Sequence, residues 1–296
     1  MWLLNFDADR ELASPGYTPS RAVARRLATL PDELSMLVRP TDVVLTEAHA
    51  VGSVRGVPGL AWCPTPRALE RLVRAGALPP RSPSREVLAR VNARRFSAEL
   101  GASLPGAQLV DAASALVAAV AAPPPDGLAA RWCLKSAWSA SGSGRRLVEP
   151  GPLSDADLAW AARHLAYGLQ VEPWVTRAAD FAQHGHLARD GSLCLGEPTR
   201  QRIDELGRWC GSALADHDDL APSERHALRH EAERVAEQLA KAGYFGPFNV
   251  DAYRYVTRAG VAFEPRCEIN ARYTMGWAVG MHGRRPDLDE VEGARE

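Results

Sequence analysis

Between Phe248 and Asn270 the chain alternates apolar and polar residues around a turn at Thr257–Gly260, the pattern of a hairpin with two long strands. Successive strand residues point to opposite faces, so Phe248 and Val250 share one face while Asn249 and Asp251 share the other. On the second strand Cys267 and Ile269 face the core, and Glu268 and Asn270 face away from it. A polar helix over Ser223–Ala242 precedes the hairpin, carries Leu228, Val235 and Leu239 inward, and stops at Gly243. Helix and hairpin together require an α/β (α+β) chain.

Two oxygen ligands on one strand face, beside an Asp on the neighbouring strand, can grip the same hard cations. Such ions take oxygen ligands and are commonly shared between carboxylates and substrate phosphates. Asp251, Glu268 and Asn270 are therefore the candidate metal ligands. Glu264 shares the face of Glu268, but Pro265 interrupts the strand between them and ranks it lower. A candidate phosphate cradle lies upstream, where Lys135 ends the apolar run Trp132-Cys133-Leu134 and opens a loop containing Ser139-Ala140-Ser141-Gly142-Ser143-Gly144. Small residues let backbone N–H groups approach anionic oxygens, and the ammonium adds a point charge. Of 35 basic residues only Lys135 and Lys241 are lysine, so one kept beside this loop points to a need for a compact charge. Arg272, two residues past Asn270 on the same side, suits stabilisation of a transferred or acyl-bound phosphate, which makes Arg272 and Lys135 the candidate catalytic residues. His184 and His186 alternate on one strand with no third ligand nearby, and read as pocket lining or as exposed residues rather than a metal pair.

At 296 residues and 46% hydrophobic content, the chain can bury a sizeable core in two or three lobes. Its 35 basic and 36 acidic side chains leave no basic stripe for nucleic acid. Met1–Asp7 lacks the basic start of a signal peptide, and the apolar run Ala112–Ala122 is too short to span a bilayer, which takes about 18 residues or more. A soluble, cytoplasmic protein with no membrane partner is expected. The five cysteines are scattered without a C-x-x-C pair and read as reduced thiols.

Pro123-Pro124-Pro125 fits neither a helix interior nor a paired strand and marks a linker. Before it, strands at Trp2–Phe6 and Asp42–Thr46 and helices at Ser20–Leu30 and Val87–Leu100 suggest an open α/β unit. After it come a strand at Arg131–Lys135, a helix opened by the capping box Ser154-Asp155-Ala156-Asp157, and a strand at Leu169–Val175. Asp180–Ala188 and Ser192–Leu195 form a hairpin around Asp190-Gly191, and Glu197–Arg208 reads as a loop with Arg200 solvated.

In order, a lysine, a Gly/Ser loop, Glu172-Pro173-Trp174-Val175, Asp251 and Glu268-x-Asn270-x-Arg272 resemble the ATP-grasp family over about residues 131 to 276. The usual proline after the lysine is Ser136 here. The resemblance implies an ATP-grasp fold, with an N-terminal open α/β (pre-ATP-grasp) domain over 1–122. Two small α+β lobes, 123–177 and 178–296, would sandwich ATP. It implies ATP and magnesium, two ions, as cofactors, and phosphate contacts from Lys135, Ser141, Gly142, Ser143 and Gly144. Glu172, Pro173, Trp174 and Val175 would form the adenine hinge, with the Pro173 carbonyl accepting from the base and the Val175 N–H donating to it. Asp180 would meet the ribose, and Arg94 or Arg95 stands where the family places a first phosphate-binding cation. The activity implied is a ligase that activates a carboxylate as an acyl phosphate for an amine or thiol nucleophile. A kinase of the same fold and a non-catalytic ATP-binding module are the alternatives. The partner expected is a small-molecule or peptide substrate, and a homodimer is one assembly open to the chain.

Overall fold

The computed structural model describes residues 1–14, 16–19, 34, 37–46, 49–101, 103–138, 144–204 and 209–288. The helix expected over Ser20–Leu30 lies outside them.

The N-terminal unit centres on β1 (Trp2–Leu3), followed by helix α1 (Ala8–Ala13), with β2 (Leu60–Ala61) lying parallel to β1. The expected strand at Asp42–Thr46 is reduced to a single bridge between Val44 and Trp2. Helix α2 (Pro66–Ala75) starts where the Thr65 hydroxyl accepts from the Ala68 N–H and Pro66 sits in the first turn. It ends at Gly76, whose φ of 89° is the left-handed cap that a glycine adopts without strain.

The single helix expected over Val87–Leu100 is two: α3 (Arg85–Asn92) and α4 (Arg94–Glu99), broken at an extended Ala93. Tertiary bonds favour the break over continuous helix. The Asn92 side chain donates to the Ala271 carbonyl at 3.2 Å and accepts from its N–H at 2.9 Å. The Arg94 N–H meanwhile donates to the Ala137 carbonyl at 3.2 Å. The break thus pins the start of α4 between the Lys135 strand and the end of the Glu268 strand.

A four-stranded antiparallel sheet follows in the order β3-β6-β4-β5. Its strands are β3 (Gln108–Val110), β4 (Trp132–Ser136), β5 (Arg145–Val148) and β6 (Leu169–Pro173). Helix α5 (Ala113–Val120), formed by the alanine-rich run, buries Leu116 and Val120 against it. Helix α6 (Asp155–Ala162) begins at the expected capping box and contributes Ala161 to the same core. The sheet thus takes its edge strand from before the triple proline.

The last unit is a five-stranded antiparallel sheet in the order β11-β10-β7-β8-β9. It comprises β7 (Arg177–Leu187), β8 (Leu193–Ile203), β9 (Trp209–Leu214), β10 (Gly246–Thr257) and β11 (Gly260–Asn270). Helix α7 (Pro222–Lys241) buries Leu228, Val235 and Leu239 on one face of the sheet. Residues 197–203, expected in a loop, are strand, because Gln201 lies in register between Asp180 and Ser212. Short helix α8 (Trp277–Met281) lies against β7, β8 and β9. Glycine is needed at Gly276, since a Cβ there would stand 2.7 Å from the Ser212 hydroxyl. Among the described residues no helix is long and apolar enough to cross a membrane.

Candidate functional site

A cleft of 710 Å³ is lined from both sheets and from the N-terminal unit, and nine predicted site residues meet in it. They are Arg94, Lys135, Trp174, Val175, Asp180, Asp251, Glu268, Asn270 and Arg272. Glu172 and Pro173 lie just behind this wall on β6. Ser141, Gly142 and Ser143 lie outside the described residues. Gly144 closes their loop, its carbonyl accepting from the Ser136 N–H at 2.9 Å.

The carboxylate corner sits on the hairpin. Asp251 pairs in register with Glu268, and Asn249 with Asn270. Asp251 accepts from Gln201 Nε2 at 2.7 Å, Asn249 Nδ2 at 2.7 Å and Asn270 Nδ2 at 3.2 Å. Burial first, and the facing Glu268 charge second, push its carboxyl up to about 7. Two carboxylates and two amides on one strand-pair face make an oxygen-rich set of the kind a hard cation takes, so the residues fit magnesium. Glu264 is separated from this corner by a register shift between Asp251 and Tyr253, and burial pushes it up to about 8.

Cations approach from the other side. Arg94 Nη2 is 3.1 Å from Glu268 Oε1, and its Nε donates to the Ser136 carbonyl at 3.0 Å. Arg95 points elsewhere, to an exposed Asp111 at 3.6 Å, so Arg94 is the arginine of the pair that enters the cleft. Lys135 Nζ is 2.5 Å from Glu172 Oε1, and Gln170 Nε2 donates to the other Glu172 oxygen at 2.8 Å. The buried Glu172 side chain therefore anchors the lysine. Arg272 is partly buried and doubly bonded to Asp9 of α1, at 2.8 and 3.1 Å. That pair fixes the guanidinium in the wall of the cleft, which Phe6 and Trp62 also line.

At the hinge, the Val175 N–H donates to the Pro173 carbonyl at 3.1 Å, so the two backbone groups expected to read adenine bond each other. A three-residue bond of this kind is weaker than a ladder bond and readily exchanged. The Arg145 guanidinium lies 5.2 Å from the Trp174 ring centroid. Asp180 pairs with Arg177 at 2.7 Å, and Arg177 stacks 4.1 Å above the Tyr253 ring.

His184 and His186 are both buried rather than exposed. They line different cavities: His184 the main cleft, His186 one of 340 Å³ beside Tyr244 and Tyr273. They are not a chelating pair. Burial holds the His184 ring down to about 3, so it is neutral near pH 7. Arg200 lies in β8 paired with Asp219 and does not line the cleft. All five cysteines are free thiols.

Sequence reasoning missed Gln201, Arg177 and Asp9 as parts of the site. Asn249 was missed as well, although it alone carried a signal, its place on the same strand face as Asp251.

No protein-family model and no curated protein matches the chain. Solved structures do. Biotin carboxylase from Campylobacter jejuni aligns at TM-score 0.53 and 14% identity, over 95% of this chain and 72% of that one. Pyruvate carboxylase from Rhizobium etli aligns at TM-score 0.50 and 17% identity, over 73% of this chain and 18% of that one. The chain thus spans under a fifth of the pyruvate carboxylase and most of the biotin carboxylase. With two sheets facing each other across the cleft in the order the motifs anticipated, the chain has the ATP-grasp fold.

Proposed function

We propose that this chain is an ATP- and magnesium-dependent ligase that activates a carboxylate as an acyl phosphate for an amine or thiol nucleophile. One observation carries the reading: Lys135 and Arg94 converge with Asp251, Glu268, Asn270 and Arg272 on one cleft between two sheets. The biotin carboxylase of like fold is a complex with a beta-gamma-ATP, which supports ATP as the nucleotide.

Lys135 and Arg94 would hold phosphate oxygens, and the hinge from Pro173 to Val175 would receive the base. Magnesium, held by Asp251, Glu268 and Asn270, would neutralise phosphate charge. A substrate carboxylate oxygen attacks the γ-phosphorus as the bond to ADP breaks. The nucleophile then attacks the acyl carbon, phosphate departs with the C–O electron pair, and a proton is released. Positioning and charge neutralisation account for most of the acceleration in such a phosphoryl transfer. Arg272, held in orientation by Asp9, suits this chemistry because a guanidinium fork matches the paired oxygens of a carboxylate or phosphate.

The test is an ADP-release screen of amino acids and short peptides with magnesium-ATP and hydroxylamine. A ligase converts its acid to a hydroxamate in step with ADP release. A stable phosphorylated product that resists hydroxylamine overturns the ligase in favour of a kinase.

A further inference from the structure

Six buried side-chain polar atoms among the described residues lack a hydrogen-bond partner, and three of them belong to residues lining the main cleft: His184 Nδ1, Asn249 Oδ1 and Thr274 Oγ1. Buried polar atoms are nearly always partnered, so such a concentration marks where a ligand completes the structure. Asn249 Oδ1 stands out by its neighbours. Asn249 is 1% exposed and sits in β10 directly opposite Asn270, two pairs along the hairpin from Asp251 and Glu268 and on the same face.

The orientation of its amide follows from Asp251. Asn249 Nδ2 lies 2.7 Å from Asp251 Oδ1, and turning the amide over would set two oxygens at that distance. The nitrogen therefore faces the carboxylate and Oδ1 is left without a donor. A carbonyl oxygen with no donor, buried beside two carboxylates, is a poor hydrogen-bond acceptor site and a good cation ligand. Amide oxygens are ordinary ligands of hard cations.

We propose that Asn249 is a fourth oxygen ligand of the cation site, so that Asn249, Asp251, Glu268 and Asn270 form a square of donors on two in-register strand pairs. The inference rests on the cation reading above and adds a residue to it. A structural alternative is that Asn249 only steers Asp251 through its Nδ2. Asn249→Asp separates the two roles, because it keeps an oxygen and loses the amide donor.

The experiment titrates Mn²⁺ against the full chain with ADP, followed by the paramagnetic resonance of free Mn²⁺. Asn249→Leu is expected to weaken Mn²⁺ binding about tenfold, the scale of one lost charge-assisted contact, while Asn249→Asp binds at least as tightly as wild type. ADP affinity in EDTA stays within about twofold in both variants, which reports an intact fold. Where Asn249→Leu does not fold, Asn249→Ala gives the same comparison. Unchanged Mn²⁺ affinity in Asn249→Leu overturns the proposal, as does equal weakening in Asn249→Leu and Asn249→Asp. Glu268→Gln is the control: if it binds Mn²⁺ like wild type, the cation site itself is wrong and this ligand falls with it.

Discussion

The two walls of the cleft handle charge in opposite ways. On the four-stranded sheet the key cation already has an anion, Lys135 against Glu172, and Gln170 holds that anion in turn. On the hairpin the balance is reversed. Asp251 is surrounded by amide donors rather than cations, its carboxyl is pushed up to about 7, and Asn249 Oδ1 has no donor. One wall is self-neutralised and must release a partner to take a phosphate. On the other, Arg94 meets Glu268 but Asp251 has only amide donors, so that carboxylate gains by taking a cation. Under the proposed function, this asymmetry favours the nucleotide and its metal arriving together.

The sharpest way to break the comparison is at the hairpin. Glu268→Gln keeps shape and removes charge, and turnover measured by ADP release is expected to fall by about 10² or more while the fold survives. Wild-type turnover would make the acid a bystander. On the opposite wall, Lys135→Ala is expected to weaken magnesium-ATP about tenfold by calorimetry and leave adenosine binding unchanged. Equal ATP affinity would remove Lys135 from the phosphate site.

Stability against pH sharpens the contrast further. With its carboxyl raised, native Asp251 holds a proton that the unfolded chain has already lost between the ordinary carboxyl range and about 7. Stability therefore falls as pH rises through that window. In EDTA, Asp251→Asn is expected to melt several degrees above wild type at pH 8 and no higher near pH 3.5. A gain of equal size at both pH values would show that the Asp251 charge carries no such cost. The smallest effect concerns the paired arginines. Arg94→Ala weakens magnesium-ATP, whereas Arg95→Ala changes it by less than about twofold, since Arg95 pairs with the exposed Asp111 and does not line the cleft.

How far these walls were legible in the sequence follows from how local their causes are. The hairpin, and the faces that put Asn249 with Asp251 and Glu268 with Asn270, depend on two-residue alternation and one turn, and they read directly. The register that sets Asp251 opposite Glu268 does not, because a shift between Asp251 and Tyr253 intervenes. The capping box at Ser154 and Asp157 is local too. What stayed hidden is tertiary. Ala93 interrupts a helical pattern because Asn92 bonds Ala271, far along the chain. Gln201 reaches Asp251 only once β8 lies two strands from β10. The choice between Arg94 and Arg95 likewise needed the break at Ala93, since it sets which side of α4 faces β11.

The Asp9–Arg272 pair joins residues 263 apart in sequence. Closing so long a loop has an entropic cost that its own two hydrogen bonds do not repay, so neighbouring contacts must form first. During synthesis Asp9 emerges long before Arg272, so the N-terminal unit waits with Asp9 on α1 for the end of the hairpin. The Arg272 guanidinium is therefore oriented only after the residues from Asp9 to Arg272 have been made. A product that lacks Asp9 can keep a folded sheet and still carry a misdirected Arg272, which makes this pair a link between the folding of the N-terminal unit and the geometry of the cleft.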